Sequence, residues 1–326
     1  MSQTKRIAII GAGIAGAACA SVLASAGLNV SLFDKSRGVG GRMSTRRGDG
    51  WQADHGTQYF RARDPLFQAE VRRWEEAGVA AAWTGHIITL GADDTPSPDA
   101  GLKRYVGTPG MTAPARFAAR NATLLSSHTI NCMTRTEDGW ALESAEHGPL
   151  PDRFHAVVVA TPAPQAVPLL TPVAPEFAHV ANQTTMLPCW ALMARYEDTV
   201  PLPFDAAFIN NSPLAWVARD SSKPGRQGPE TWVLHASAAW SEAHLEVTPE
   251  DAIAVLQAAF VDLGAPKASA VSAHRWRYAD VAPGSAPGFC HDEDLQLGVC
   301  GDWLHGGKVE GAWLSGHKLA HQLLKV

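Results

Sequence analysis

Four apolar positions, Ile7 to Ile10, run into Gly11, Gly13 and Gly16, then into a stretch of small and apolar residues up to Ala26. A second apolar run, Val30 to Phe33, ends in Asp34. A short unbroken apolar run predicts a buried parallel strand, and the small-residue stretch predicts a helix lying on it, with Val22 and Leu23 facing the sheet and Gly27 ending it. In G-x-G-x-x-G spacing the first glycine permits a tight turn, the second lets backbone approach a pyrophosphate, and the third lets helix and sheet pack closely. The helix N-terminus then offers unpaired N–H groups and a favourable dipole to an anion. Asp34 follows Gly16 by eighteen residues, where a carboxylate accepts both hydroxyls of an adenosine ribose and disfavours a 2′-phosphate. Strand, glycine turn, helix, strand and acid in register predict a site for an adenine dinucleotide.

The same pattern has a rival. Lys5 and Arg6, an apolar stretch and Ala24-Ser25-Ala26 also fit a secretory leader, but three glycines at fingerprint spacing and a strand continuing to Asp34 favour the nucleotide unit.

Further along, Arg37–Met43 is a glycine-rich loop with Arg42 placed to meet phosphate or ring oxygen. An amphipathic helix is expected over Pro65–Ala77 and a Gly/Asp/Pro-rich loop over 91–101. A short helix over 110–120, a strand over Thr123–Thr129, and strands over Trp140–Glu143 and Phe154–Ala160 follow, the last stopped by Pro162. From 166 to 289 the texture changes. Short strands are expected at Trp190–Tyr196, Ala207–Asn210, Ala215–Ala218, Thr231–Ser237 and Val271–Tyr278, with one clear helix at Pro249–Leu263 capped by Thr248. Residues 297–326 give a strand, a glycine-rich turn and a closing helix. The fold class is therefore α/β, a Rossmann-type dinucleotide-binding domain with an inserted, mainly antiparallel β substrate domain and a ligand site between them. The expected division is 1–61, 103–165 and 290–326 for the nucleotide domain, against 62–102 and 166–289 for the substrate domain.

Composition narrows the partner. The 326 residues are 46% hydrophobic and 18% charged, with a net charge of −5 and no basic run, so nucleic acid is not expected and a small molecule is. No other segment approaches a membrane span. Five scattered cysteines without a C-x-x-C argue against a disulfide framework or zinc site and fit a reducing cytoplasm, and the thirteen histidines show no metal-ligand spacing. Seven of the eleven tryptophans fall after residue 180, as aromatic pocket walls or core.

A glycine fingerprint alone does not separate NAD from FAD. The stretches FDKSRGVGGRMSTRR, DHGTQYF, VVVATPAPQA, TWVLHAS, HRWRYA and CGDW…KVEGAWLSG resemble FAD enzymes of the amine oxidase and protoporphyrinogen oxidase superfamily, and within it the bacterial renalases, over nearly the whole chain. The resemblance implies a two-domain flavoprotein of the p-hydroxybenzoate hydroxylase type with non-covalent FAD. It also implies oxidation of 2- or 6-dihydro isomers of NAD(P)H to NAD(P)+, with electrons passed to O2 to give hydrogen peroxide. By carry-over Gly11, Gly13, Ile14, Ala15 and Gly16 meet the pyrophosphate, and Phe33, Asp34 and Lys35 the adenosine ribose region. Gly41 and Arg42 meet the phosphates, and His55, Gly56, Thr57 and Gln58 the flavin ring. Asp302 and a turn made by Val309, Glu310, Gly311 and Ala312 close over the ribityl chain and ring. His55 and Thr57 depart from the pattern, which has an apolar and a small residue there.

A dihydronicotinamide carries a hydride that leaves without prior deprotonation, so no essential base is expected, only orientation of two rings. Tyr59, His235, Trp276 and Trp303 are the expected pocket residues; a strand histidine is also often a hydrogen-bonded core residue. Arg226 and Arg275 are weaker candidates for substrate phosphates, and Cys300 for a covalent flavin link. The competing functions are an amine oxidase, an aromatic hydroxylase and a flavin-binding module without turnover. The sequence leaves the oligomeric state open.

Overall fold

The computed structural model describes residues 5–91, 101, 103–284 and 286–325. The expected α/β architecture is present. Its first sheet has the strand order Cys290–Asp292, Leu297–Val299, Ala156–Val159, Arg6–Ile10, Asn29–Asp34, Thr123–Ser126, with only the outer Cys290–Asp292 strand antiparallel. Such a sheet is covered on both faces, which is why Ile7–Ile10 and Ala156–Val159 read as unbroken apolar runs. The first helix, Ile14–Ser25, is expected at this place, and the closing helix Lys308–Leu323 crosses it so closely that a Cβ on Gly316 would stand 2.0 Å from the Ala15 carbonyl oxygen.

The second sheet has the order Ala270–Val281, Met186–Tyr196, Glu230–Ala236, Leu214–Arg219, Ala206–Ile209, Ile87–Leu90, antiparallel except for the last pair. All five strands expected between 186 and 281 belong to it. The helix Pro249–Val261 backs it, its N-terminus capped by Thr248, whose Oγ1 accepts from Asp251 N at 3.2 Å. The helix Pro65–Glu76 packs toward the closing helix through Phe67 and Trp313 at 5.5 Å, whereas Ile87–Leu90 joins the second sheet, so this stretch touches both units. Of the loop expected over 91–101, residues 92–100 lie outside the described residues.

Three expectations are corrected. Phe154–Ala160 is not one strand: Gly148–Phe154 belongs to a separate three-stranded meander with Ile130–Thr136 and Gly139–Ser144, and the chain breaks at His155 before Ala156–Val159. The first of these was hidden because GPLPDRF carries two prolines, tolerated here since the strand is an edge. Residues 163–182 form two helices, Ala163–Leu170 and Pro175–Asn182, whose alanines and leucines pack on the parallel sheet. Finally, Val309–Ala312 is the first turn of the closing helix rather than a free turn.

Candidate functional site

At the first glycine turn the backbone is shaped for an anion. Gly11 has φ +110° and would place a Cβ 2.7 Å from the Ala160 carbonyl oxygen, and a Cβ on Gly16 would lie 2.0 Å from Gly11 O. Gly13 differs, since a Cβ there meets nothing within 4 Å. The following helix has no side-chain cap and no acid in its first turn, so the N–H groups of Ile14, Ala15 and Gly16 face that open space. The second glycine loop lies alongside: Gly40 N donates to Ala12 O at 2.8 Å, and Gly41 approaches Gly13 Cα to 3.3 Å from its would-be Cβ. Thr161 Oγ1, beside the turn, is buried with no partner. A pyrophosphate fits this cradle.

Asp34 is already oriented. Its Oδ2 accepts from Ala12 N and its Oδ1 from Ser36 N, both at 2.7 Å, leaving further lone pairs for a ribose. Phe33 is buried against Phe154, and its carbonyl accepts from Gly11 N, so it holds the turn from behind; Lys35 is exposed. Arg42 forms a bidentate pair with Asp302, Nη1 to Oδ2 at 2.8 Å and Nη2 to Oδ1 at 2.6 Å. This brings the second glycine loop against the turn before the closing helix. Glu310 turns its carboxylate to the backbone N–H groups of Arg63 and Asp64, both at 2.7 Å, and so anchors the lead-in to helix Pro65–Glu76.

The segment His55–Tyr59 runs between these loops and the second sheet. Thr57 N donates to Arg42 O at 2.9 Å, and a Cβ on Gly56 would meet the same oxygen at 2.1 Å and Trp276 at 3.3 Å. Two donors converge on the His55 carbonyl: His235 Nε2 at 3.1 Å and Trp276 Nε1 at 3.0 Å. The His55 ring stacks on Trp276 at 5.1 Å and meets His274 edge-on at 4.9 Å. Strand register explains the convergence. Phe208, Trp216, His235, Ala191 and His274 are successive cross-strand partners and form one row across one face of the sheet. Tyr59 packs on Trp216 at 5.6 Å between the guanidinium groups of Arg61 and Arg104.

Among the expected pocket residues, the structure thus brings Tyr59, His235 and Trp276 to one face and leaves Trp303 apart. The Trp303 indole is buried in the core of the parallel sheet and donates to Thr161 O at 3.0 Å. Arg226 is engaged with Asp54 and the Gly107 carbonyl, and Arg275 with Glu246 and the Leu245 carbonyl. Cys300 is buried, which pushes its thiol up to about 12. Trp216 and His274 are functional candidates that periodicity did not single out, because their partners lie far away in sequence.

Burial, with the charge of Lys223 added, holds His235 down at about 4. Burial and the neighbouring His274, Arg46 and His235 hold His55 at about 3. Both are neutral at pH 7, and the acceptor at His55 O makes Nε2 the protonated nitrogen of His235. The unfolded chain binds protons at these sites below pH about 6.5 and the folded one does not. Stability is therefore greatest above that value and falls as pH drops toward 4. Calorimetry of the flavin-loaded protein should show Tm falling from pH 7 to 5, and falling less in His235→Asn; a flat Tm over this range would refute the assignment of neutral buried imidazoles.

Among the described residues no helix is long and apolar enough to cross a membrane, and no metal-binding cluster occurs. Residues 9–74 match the model of the NAD(P)-binding Rossmann-like domain, and residues 90–324 match that of flavin containing amine oxidoreductases. An L-amino-acid oxidase of Pseudechis australis is 39% identical over 75 residues, 22% of this chain and 14% of that protein. A hydroxyneurosporene desaturase of Rubrivivax gelatinosus is 40% identical over 95 residues, 26% and 18% of the two. The chain thus spans less than a fifth of the length of these relatives. Over the whole fold it superposes on a putative protoporphyrinogen oxidase from Exiguobacterium sp. 255-15 (TM-score 0.74, 15% identity, 100% of both chains). It superposes equally on cyclohexylamine oxidase from Brevibacterium oxydans IH-35A (TM-score 0.75, 14% identity, 99% of both). With a model matching most of its length and a cradle shaped for a dinucleotide, the chain belongs to the flavin containing amine oxidoreductases, and its cofactor is FAD.

Proposed function

We propose that this chain is a renalase-like oxidase, which takes a hydride from the 2- or 6-dihydro isomers of NAD(P)H, releases NAD(P)+ and passes the electrons to O2 to form hydrogen peroxide. Non-covalently bound FAD supplies the hydride acceptor. Gly11, Gly13 and Gly16 hold its pyrophosphate, Asp34 its ribose, and the Arg42–Asp302 pair fixes the loops on either side. His55 to Gln58 line the ring, and Tyr59, Trp216, His235 and Trp276 receive the nicotinamide and its ribose. We place this activity in the cytoplasm.

The observation that carries the reading is that His235 is engaged through Nε2 with the His55 carbonyl and that burial first of all holds both histidines facing this space neutral. A donor that must first lose a proton finds no base poised near neutrality here. A dihydronicotinamide needs none. The second reading, an amine oxidase, draws on the family's description and on the aromatic walls.

Anaerobic mixing separates the two. The 2- or 6-dihydro isomers should bleach the flavin about a hundredfold faster than ordinary 4-dihydro NADH, since a misplacement of about 1 Å between the reacting atoms costs that much. Faster bleaching by benzylamine or a polyamine would replace this reading with the amine oxidase.

A further inference from the structure

Behind the His55–Tyr59 segment lie four ionic side chains, each with no more than 1% of its surface exposed: Asp54, Asp220, Lys223 and Arg226. Three come from the turn after strand Leu214–Arg219, and Asp54 comes from the loop that carries His55. Lys223 Nζ donates to Asp220 Oδ1 at 2.7 Å and to Gln58 Oε1 at 3.2 Å, and stands 3.6 Å from Asp54 Oδ2. Arg226 pairs with the same Asp54 oxygen and donates to Gly107 O at 2.7 Å. Asp54 also accepts from Thr45 Oγ1 at 2.7 Å and Met111 N at 3.0 Å. Burial alone would raise its carboxyl, but Lys223 and Arg226 hold it below the usual range.

A buried ion cluster is a poor source of stability, because desolvating the charges cancels most of their attraction. Its geometry here has another effect. With Lys223 on the amide oxygen of Gln58, the amide NH2 must face the Asp54 and Gly56 carbonyls, to which it donates. One ammonium group thereby fixes a side chain that braces the loop from 54 to 58 on its inner side. The outer side of that loop presents the His55 carbonyl to His235 and Trp276. The same ammonium acts on His235 itself.

We propose that Lys223 is the positioning residue of this site: through Gln58 it sets the 54–58 loop, and with it the His55 carbonyl gripped by His235 and Trp276, against the flavin and the second sheet. This rests on the reading that the flavin ring lies at Gly56. The groups acting on His235 are His55 from the loop and Lys223 from the turn, with His274 across the sheet, and Arg46 and Asp54 beyond His55.

The test compares FAD-loaded Lys223→Met, which removes donor and charge, with Lys223→Gln, which keeps a donor without charge. Imidazole nitrogen NMR, which needs no substrate, should show the His235 titration moved upward from its wild-type position in both variants, because the effect of the Lys223 charge is lost while that of burial remains. Flavin reduction at pH 8 should fall about a hundredfold in Lys223→Met and stay within about tenfold of wild type in Lys223→Gln. Equal rates in the two variants, or a His235 titration that does not move in either, overturns the proposal. If Lys223→Met does not fold, Asp220→Asn/Lys223→Met removes one charge of each sign and still deprives Gln58 of its donor; a wild-type reduction rate in that protein is equally fatal. Should no dihydronicotinamide isomer reduce even the wild type, the donor assignment fails while the His235 titration still decides the role of Lys223.

Discussion

Gly13→Val is expected to purify folded and colourless. Gly13 has φ −69°, an ordinary value for any residue, and a Cβ there meets no protein atom within 4 Å. The branched side chain therefore costs the empty fold little, on the order of 0.5 kcal/mol as for an unconstrained surface change. It would, however, fill the space over the N–H groups of Ile14 to Gly16, where the pyrophosphate has to sit. Gly16→Val is the contrasting control. Its Cβ would lie 2.0 Å from the Gly11 carbonyl oxygen, so that variant should lose several kcal/mol of stability together with the flavin. Absorbance at the flavin bands against protein concentration, with Tm of both variants, reads the outcome. A yellow Gly13→Val would move the pyrophosphate elsewhere.

The second large effect concerns His235. With its imidazole held at about 4, flavin reduction in wild type should show no step between pH 5.5 and 8. His235→Ala removes one of two donors to the His55 carbonyl and should slow reduction by up to about a hundredfold through loss of alignment. His235→Asn should recover part of that, since an amide donates without titrating. A wild-type step near pH 6.5 that disappears in both variants would instead make His235 an acid–base catalyst and return an amine to the first rank of donors.

The nucleotide unit up to Asp34 was legible because each of its elements is local: strand, turn, helix and acid follow one another, with Gly11 and Gly16 sterically required and Gly13 leaving open space. The five antiparallel strands were legible as short apolar and aromatic runs bounded by Asn, Ser, Pro and Gly. Edge strand Gly148–Phe154 was not, because its two prolines speak against a strand unless one knows the strand is unpaired on one side. At the site the limit was distance in sequence. Asp220, Lys223 and Arg226 fall in a stretch with the composition of a solvated loop, and nothing local says that Asp54, far back in the chain, will be there to balance them. Trp303 shows the opposite error: adjacency to Asp302 placed it in the pocket, but one residue further along a tight turn the side chain points into the core.

The nucleotide sheet is assembled from three separated stretches, with Arg6–Ile10 paired to Ala156–Val159 and that strand to Leu297–Val299, while Gly301 N rests on Ser315 Oγ and the closing helix covers the first. On the ribosome this makes flavin capture a late event. The fingerprint emerges first with its neighbour Asn29–Asp34, yet its strand lacks a second neighbour until Ala156–Val159 has been made and its helix lacks a lid until the segment containing Gly316 follows. During that interval the nascent chain exposes unpaired strand edges and apolar helix faces, the features that recruit chaperones and invite aggregation. Holoprotein yield in the cell should then be governed as much by elongation speed and chaperone supply as by the amount of flavin available.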